Sequence, residues 1–106
     1  MTDKIVVLST ASSAEEAEKI ARNLVDARLA ACVNVVAGMR SFYRWKGSIE
    51  DAAEWLLVIK SSRGRFDALH TALEKLHSYE VPEVIAISVI DGAQNYLNWM
   101  DGELGA

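Results

Sequence analysis

The residues from Cys32 to Lys46 alternate between two kinds of side chain, and this run constrains the fold more than any other part of the chain. A period of two residues is typical of a β-strand, whose side chains point to opposite faces in turn. Gly38 marks a point where such a long strand is expected to bend. One face is predicted to carry Val33, Val35, Ala37, Met39, Tyr43 and Trp45, and the other Asn34, Arg40, Phe42 and Arg44.

A second strand is predicted from Ile49 to Ser61, so that the two strands form a long antiparallel hairpin. Lys46-Gly47-Ser48 is the predicted loop, because glycine is favoured in tight turns. A loop of these residues sets the register of the hairpin and places opposite charges across it. The expected pairs are Arg44 with Glu50 and Arg40 with Glu54.

The sequence on either side of this hairpin predicts helices and further strands. Ser13-Ala14-Glu15-Glu16 matches a capping box, in which a serine hydroxyl and a glutamate carboxylate accept backbone N–H groups at a helix start. Apolar residues then recur at helical spacing to about Leu29, and again from Arg63 to His77. Short β-branched runs predict strands at Ile5–Thr10 and Glu83–Ile90, and a short amphipathic helix carries Tyr96, Leu97, Trp99 and Met100.

The order βαββαβ with short connections predicts a mixed α/β (α+β) fold of the ferredoxin-like type, in which both helices cover one face of the sheet. The chain has 106 residues and is expected to form one domain, residues 1–106, whose last element is the C-terminal helix. The hairpin is long enough to project past the helices and is apolar on both faces. This predicts a homo-oligomer.

Charge and composition exclude several classes of protein. The net charge of −4 argues against a general affinity for nucleic-acid backbones or anionic membranes. The first apolar run, Ile5–Leu8, is too short for a signal peptide or a membrane span, which predicts a cytoplasmic protein. The one cysteine, Cys32, agrees with a reducing compartment.

Two side chains are candidate metal ligands. His77 opens the stretch "HSYEVPE", residues 77–83, and this histidine, next to Tyr79 and Glu80, could meet a metal or an anion. Its alternative role is structural, because an imidazolium interacts favourably with the C-terminal end of a helix. Cys32 could bind Cu(I), although burial is the more common state of a free cysteine and no second cysteine completes a thiolate site.

The aromatic and basic run Arg40–Lys46 raises single-stranded nucleic-acid binding as an alternative, because strand aromatics can stack on bases. Glu50, Asp51 and Glu54 cancel the local positive charge. Packing at an interface therefore explains these aromatic residues better.

Enzymatic chemistry has little support in the sequence. A base or nucleophile such as Glu80 would act with His77 and Lys60. However, the chain contains no glycine-rich phosphate loop, nucleophile elbow or histidine-rich metal motif. We therefore predict a protein that is not an enzyme and has no catalytic residues.

Five motifs together resemble one known family. They are "VVLSTA" (6–11), "LAACVNVV" (29–36), "SFYRWKGSIE" (41–50), "HSYEVPEV" (77–84) and "YLNWM" (96–100). With these motifs in this order, the chain is similar to the CutA divalent-cation tolerance proteins. The resemblance implies a cytoplasmic homotrimer of ferredoxin-like subunits, similar in architecture to the nitrogen-regulatory PII signalling proteins and without an established catalytic activity.

The resemblance also implies a function and a set of site residues. The family is linked to tolerance of copper and other divalent ions, so copper or another divalent cation is the implied ligand, with His77 as the candidate metal ligand and Cys32 as a second. Other recurring residues of the family are expected to meet in a cleft between subunits. Their matches here are Asn34, Tyr43, Trp45, Lys60, Tyr79, Glu80 and Glu83.

Three positions depart from the family pattern. Some bacterial members proposed to bind copper have a cysteine where this chain has Ser9 and a histidine where it has Leu76, and the family usually has proline at the position of Ser78. Without that proline, His77 is expected to remain in the helix. The sequence leaves two functions open, a trimer that binds a metal ion and signals in a PII-like manner, and a structural or adaptor trimer that binds another protein.

Overall fold

The computed structural model describes residues 2–105, which form a four-stranded antiparallel sheet and three helices. The sheet order is β2-β3-β1-β4, and with the element order βαββαβ it makes a ferredoxin-like fold, which confirms the predicted fold class. In chain order the elements are β1 (Lys4–Ala11), α1 (Ala14–Asp26), β2 (Cys32–Trp45), β3 (Ser48–Ser62), a 3₁₀ turn (Arg63–Arg65), α2 (Phe66–Leu76), β4 (Ile85–Ser88) and α3 (Gln94–Leu104).

The main core lies between the sheet and the helix pair α1 and α2. Alternate residues of a strand point to one face, so Val7 on β1 and Ile59 opposite it on β3 are both fully buried against the helices. The helices contribute the residues that formed the predicted apolar stripes, which include Ile20, Leu24, Leu69 and Leu73.

The C-terminal helix α3 lies on the other face of the sheet, near one end. Lys4 on β1 forms an ion pair with Asp101 at 2.6 Å, and Nζ of Lys60 on β3 lies 5.7 Å from the ring centroid of Tyr96. A small second core joins this helix to the start of β2. It is formed by Ala31, Leu97, Met100 and Leu104. No helix within residues 2–105 is long and apolar enough to cross a membrane.

The loop of the hairpin is shorter than predicted. Only Lys46 and Gly47 form it, with φ of 49° and 84°, and Trp45 pairs directly with Ser48. Positive φ at both loop positions is the type I′ geometry, which suits the right-handed twist of paired strands. The register therefore differs from the predicted one by one position.

This register changes the partners of the two arginines of β2. Neither Arg44 nor Arg40 lies opposite the glutamate predicted for it, Glu50 or Glu54, so the predicted cross-strand pairs are wrong. Arg40 instead forms an ion pair with Asp51 at 2.6 Å, on the solvent-exposed part of the hairpin.

A β-bulge at Gly38 confirms the predicted bend but overturns the predicted faces of β2. Ala37 and Gly38 both lie opposite Trp55, and Gly38 has φ of 84°. One extra residue reverses which side chains point to which face. Val35 and the residues in phase with it therefore point to the face that carries α1 and α2, whereas Tyr43 and the residues in phase with it point to the opposite face.

Three element ends also differ from the prediction. The helix α1 stops at Asp26, earlier than predicted, because Arg28 adopts a left-handed conformation with φ of 57°. The helix α2 stops at Leu76, and His77 is extended with φ of −87° and ψ of 143°, so the expectation that His77 remains in the helix is wrong. Strand β4 covers only Ile85–Ser88, shorter than the predicted Glu83–Ile90, and it pairs with β1 alone.

Beyond α3, the second face of the sheet is apolar and uncovered in a single chain. Val36 on β2 is 47% exposed, and Ile85 and Ile87 on β4 are 52% and 49% exposed. In the register of the sheet they share this face with Leu8 and Leu56. A contiguous apolar surface of this kind is typical of a contact surface between proteins.

Candidate functional site

A cleft opens between the hairpin and the loop that joins α2 to β4, beside the end of β1. Its volume is about 530 Å³, and Thr10 of β1 is part of its wall. Five of the residues predicted to bind a ligand also line it, namely Tyr43, Trp45, Tyr79, Glu80 and Glu83. The fold therefore brings these five side chains together, while their role in ligand binding stays a prediction.

Asn34 and Lys60, the other two predicted ligand-binding residues, lie outside this cleft. Asn34 is opposite Val58, and Lys60 is opposite Cys32. Lys60 is separated along β3 from Glu54, in the cleft wall, by a distance of roughly 20 Å at the usual rise per residue. Within one chain, Lys60 and the residues of the cleft wall cannot contact the same small ligand.

The imidazole of His77 is fully buried, and both of its ring nitrogens are hydrogen-bonded. Nε2 lies 2.5 Å from the carbonyl oxygen of Thr10, and Nδ1 lies 3.0 Å from the backbone nitrogen of Tyr79. A carbonyl only accepts and a backbone N–H only donates, so Nε2 carries the proton and donates it while Nδ1 accepts. These bonds hold His77 in its extended conformation and fasten Tyr79 beside the cleft.

The two predicted metal ligands, His77 and Cys32, are held apart. Cys32 pairs with Lys60 on β3. His77 bonds to Thr10, whose partner on β3 is Leu56, so the two sites are roughly 13 Å apart along that strand. A metal could reach His77 only if one of its two hydrogen bonds broke.

The donor groups of one chain are spread apart. Among residues 2–105, no three histidine, cysteine, aspartate or glutamate side chains lie close enough together to hold one. A protein metal site normally gathers three or more such donors. The residues of a single chain therefore do not fit a metal ion by themselves, and the metal role of His77 and Cys32 stays a prediction.

Glu54 is a residue of the cleft that the sequence interpretation missed. It is only 4% exposed, and its Oε2 accepts a hydrogen bond from the hydroxyl of Tyr79 at 2.6 Å. Burial, together with this carboxylate, raises the pKa of Tyr79 well above its usual value, so the phenol stays protonated and donates. The sequence predicts that Glu54 pairs with Arg40 across the hairpin. This register is wrong by one position, so it did not reveal Tyr79 as the partner of Glu54.

Glu16 is a second missed residue, and it holds the loop from the side of α1. The helix cap predicted at Ser13 is confirmed, since its hydroxyl accepts from the backbone N–H of Glu16 at 3.1 Å. The carboxylate of Glu16, however, does not complete a capping box. Its Oε1 accepts from the backbone and hydroxyl of Ser12, and its Oε2 accepts from the backbone N–H of Ser78 at 2.8 Å.

These hydrogen bonds lower the pKa of the Glu16 carboxyl group. Burial raises the pKa of its carboxyl group, but the donors from Ser12 and Ser78 outweigh burial and lower the pKa to about 2. The bond from Ser78 requires a backbone N–H, which a proline at this position could not supply. Glu16 is therefore ionised at neutral pH and ties the cleft loop to the start of α1.

The wall of the cleft combines negative charge with aromatic rings. Glu54, Glu80 and Glu83 lie in it, and the described residues that line it include no lysine, arginine or histidine. Carboxylates without basic neighbours attract positively charged ligands. The aromatic side chains of the wall are Tyr43, Trp45 and Tyr79, while Phe42 lines it but points its side chain to the other face of the sheet.

Comparison with known sequences identifies the family. A family model described as "CutA1 divalent ion tolerance protein" matches residues 5–103. A relative from Thermus thermophilus, named divalent-cation tolerance protein CutA, is 43% identical over 94% of this chain and 97% of its own length. A chloroplastic CutA protein of Arabidopsis thaliana is 40% identical over 91% of this chain, which spans 53% of that longer protein. The name of the Thermus relative describes a divalent-cation tolerance protein.

Solved structures give the same result. The crystal structure of CutA from Xylella fastidiosa superposes with a TM-score of 0.95, at 42% identity, over 97% of this chain and 99% of that chain. CutA from Archaeoglobus fulgidus, described as periplasmic, superposes with a TM-score of 0.92 at 36% identity over 95% of this chain and 98% of that chain. The chain therefore belongs to the family of CutA1 divalent ion tolerance proteins.

Proposed function

We propose that this protein is a homotrimer of single-domain subunits, residues 1–106, that acts in divalent-cation tolerance by binding a cation in the cleft where subunits meet. The charge of the cleft carries the proposal. Three acidic residues, Glu54, Glu80 and Glu83, line it, and the described residues of its wall include no basic residue to neutralise them. The names of the relatives, which refer to divalent cations, support a positively charged ligand.

The uncovered face of the sheet supports the trimer. Val36, Ile85 and Ile87 would remain about half exposed in a monomer, and burial of such a surface stabilises association by about 25 cal/mol per Å². The hairpin also extends the molecule to 44 Å in one direction against 25 and 24 Å in the others, so it reaches beyond the subunit core. A neighbouring copy would cover both features.

Light scattering after gel filtration tests the trimer. We expect a mass of three times 11.7 kDa for the wild type and dissociation for Ile85→Lys, since the lysine would place a charge in a dry interface. Val25→Lys is the matched control, because Val25 is 43% exposed on α1 and lies away from the uncovered sheet face. A monomeric wild type, or equal dissociation of both variants, would contradict the interface.

A divalent metal ion, copper in particular, is the cation that the family resemblance implies. Carboxylate and phenol oxygens are hard donors, which suit Mn(II) or Mg(II) better than Cu(I). Because the donors of one chain do not converge, a bound metal would have to take ligands from more than one subunit, and binding would then stabilise the trimer. Such an ion is cargo of the cleft and not a resident cofactor.

Calorimetric titration with Mn(II) and with Cu(II) measures this binding. We expect Glu80→Gln combined with Glu83→Gln to weaken it roughly tenfold or more, since each lost carboxylate removes attraction worth about 1 kcal/mol. Glu74→Gln, on the surface of α2, should leave it unchanged. If Cys32→Ser abolishes copper binding while the double variant retains it, the metal site lies at Cys32 and not in the cleft.

The proposal includes two further features implied by the resemblance, a cytoplasmic location and PII-like signalling. A single cysteine, Cys32, supports a reducing compartment, and cell fractionation tests it. The competing function is an adaptor trimer, which the exposed Phe42 and Ile49 of the hairpin favour, at 64% and 70% exposure. An adaptor would require no cation, so a negative titration with a trimeric protein would favour it.

A further inference from the structure

The cleft differs from a typical metal site in how its acidic groups are arranged. Its three carboxylates line a space of about 530 Å³, yet no three donors among residues 2–105 converge on one point. One oxygen of Glu54 is already bonded to the hydroxyl of Tyr79. A space of this size is typical of small-molecule sites and far exceeds what a bare ion fills.

The remaining wall is aromatic. The rings of Tyr43, Trp45 and Tyr79 lie in it, and an aromatic ring presents negative potential at its face. Cations are attracted to such faces when they lie within about 6 Å of the ring centroid, and quaternary ammonium groups are recognised by several rings together. Ring faces contribute little to binding a hydrated metal ion, whose charge is satisfied by oxygen donors.

Two rings of the hairpin already attract cations of the same chain. The guanidinium of Arg40 lies 5.2 Å from the ring centroid of Phe42, and Nζ of Lys46 lies 5.8 Å from that of Trp45. Both basic side chains lie outside the cleft wall. The contact of Lys46 shows that the ring of Trp45 attracts a positive group, whereas Phe42 points to the other face of the sheet.

We propose that the cleft binds an organic ammonium ion, held between its aromatic rings and balanced by the carboxylates of Glu54, Glu80 and Glu83. This inference rests on the proposed function, because it requires the cleft to be a cation site, and it names the chemical class of the cation. A spread positive charge with an apolar surface matches separated carboxylates and ring faces together, whereas a metal ion requires oxygen donors that converge, which those of one chain do not among residues 2–105.

Titration of the trimer with tetramethylammonium chloride tests the inference, with tryptophan fluorescence and calorimetry as readouts. Sodium chloride at equal ionic strength and tert-butanol, which is neutral and of similar size, are the ligand controls. We expect saturable binding of tetramethylammonium alone. Trp45→Leu should weaken it about fivefold, while Trp99→Leu, which removes a similarly exposed tryptophan outside the cleft, should have no effect.

The outcomes separate this inference from the proposed function. Binding of Mn(II) without binding of tetramethylammonium overturns the organic ligand and leaves a cation site. Binding of neither one overturns both. Equal binding of tert-butanol would show that apolar contact alone suffices, and equal weakening by Trp45→Leu and Trp99→Leu would show that the ring of the cleft has no specific role. Light scattering of each variant verifies that the comparison is made between intact trimers.

Discussion

Replacing Glu16 with glutamine is expected to lower the free energy of unfolding at pH 7 by about 2 kcal/mol, and the loss should nearly vanish by about pH 2. Glutamine has one acceptor oxygen, so its amide group would face a backbone donor from either Ser12 or Ser78. The loop that carries Tyr79 would then lose its attachment to α1.

The direction of the pH effect follows from the pKa of Glu16, which falls from 4.5 to about 2 on folding. A lowered pKa means that the stabilisation is complete above pH 4.5 and is lost as the pH falls toward 2. The full shift corresponds to on the order of 3 kcal/mol, which we reduce to about 2 because the carboxylate retains contact with solvent.

Urea unfolding at pH 7, 5 and 3, at one protein concentration, measures this effect. The matched control is Glu18→Gln on the same helix, because Glu18 is exposed and pairs only with Arg22. That change should alter stability by less than about 0.5 kcal/mol. A constant difference between Glu16→Gln and the wild type at every pH would contradict the role of its charge.

Replacing His77 with alanine should destabilise the protein by about 2–4 kcal/mol, since two hydrogen bonds and the packing of a fully buried ring are lost. Asparagine and glutamine separate the two bonds. The side-chain oxygen of His77→Asn can accept from the backbone N–H of Tyr79, as in an Asx-turn. The longer amide of His77→Gln can donate to the carbonyl of Thr10.

Each of these two variants should therefore recover about 1 kcal/mol relative to His77→Ala in the same urea unfolding measurement. An alanine variant as stable as the wild type would mean that His77 does not fasten the loop. The series also improves the test for metal binding, because weaker copper binding by His77→Ala could follow from a displaced loop. Loss of binding in all three variants, with the stability of His77→Asn and His77→Gln partly restored, would identify a true ligand.

Local patterns predicted the parts of the fold that depend on neighbours in the sequence. The cap at Ser13 follows from side-chain chemistry within one helical turn, and the apolar stripe of α2 follows from the helical period. The order of strands and helices then restricts the topology to the ferredoxin-like type. These features need no knowledge of long-range contacts.

The register of the hairpin depended on details that composition does not reveal. Lysine at a positive φ is uncommon, and the two-residue loop at Lys46 and Gly47 depends on it, so the sequence does not indicate so short a loop. The extra residue at Gly38 then exchanged the two faces of β2. Periodicity alone cannot detect such a change, because both halves of the strand alternate correctly.

The candidate site was predicted in part. The family motifs gave five side chains that line the cleft, but they did not give Glu54 or Glu16, whose partners are distant in the sequence. Nor could they show that the nitrogens of His77 are both occupied, since its partners Thr10 and Tyr79 are main-chain groups that any sequence would supply. Contacts of this kind depend on tertiary structure.

The bulge at Gly38 lets one strand serve two different surfaces. Before the bulge, Val35 and the residues in phase with it point to the helix side of the sheet. After the bulge, the residues in phase with Tyr43 and Trp45 point to the opposite side. An insertion of two residues into each strand between the bulge and the cleft residues would preserve this division, whereas an insertion of one residue into each strand would exchange cleft residues for solvent-facing ones. Evolution can therefore lengthen this hairpin only in even steps if the cleft is to be retained.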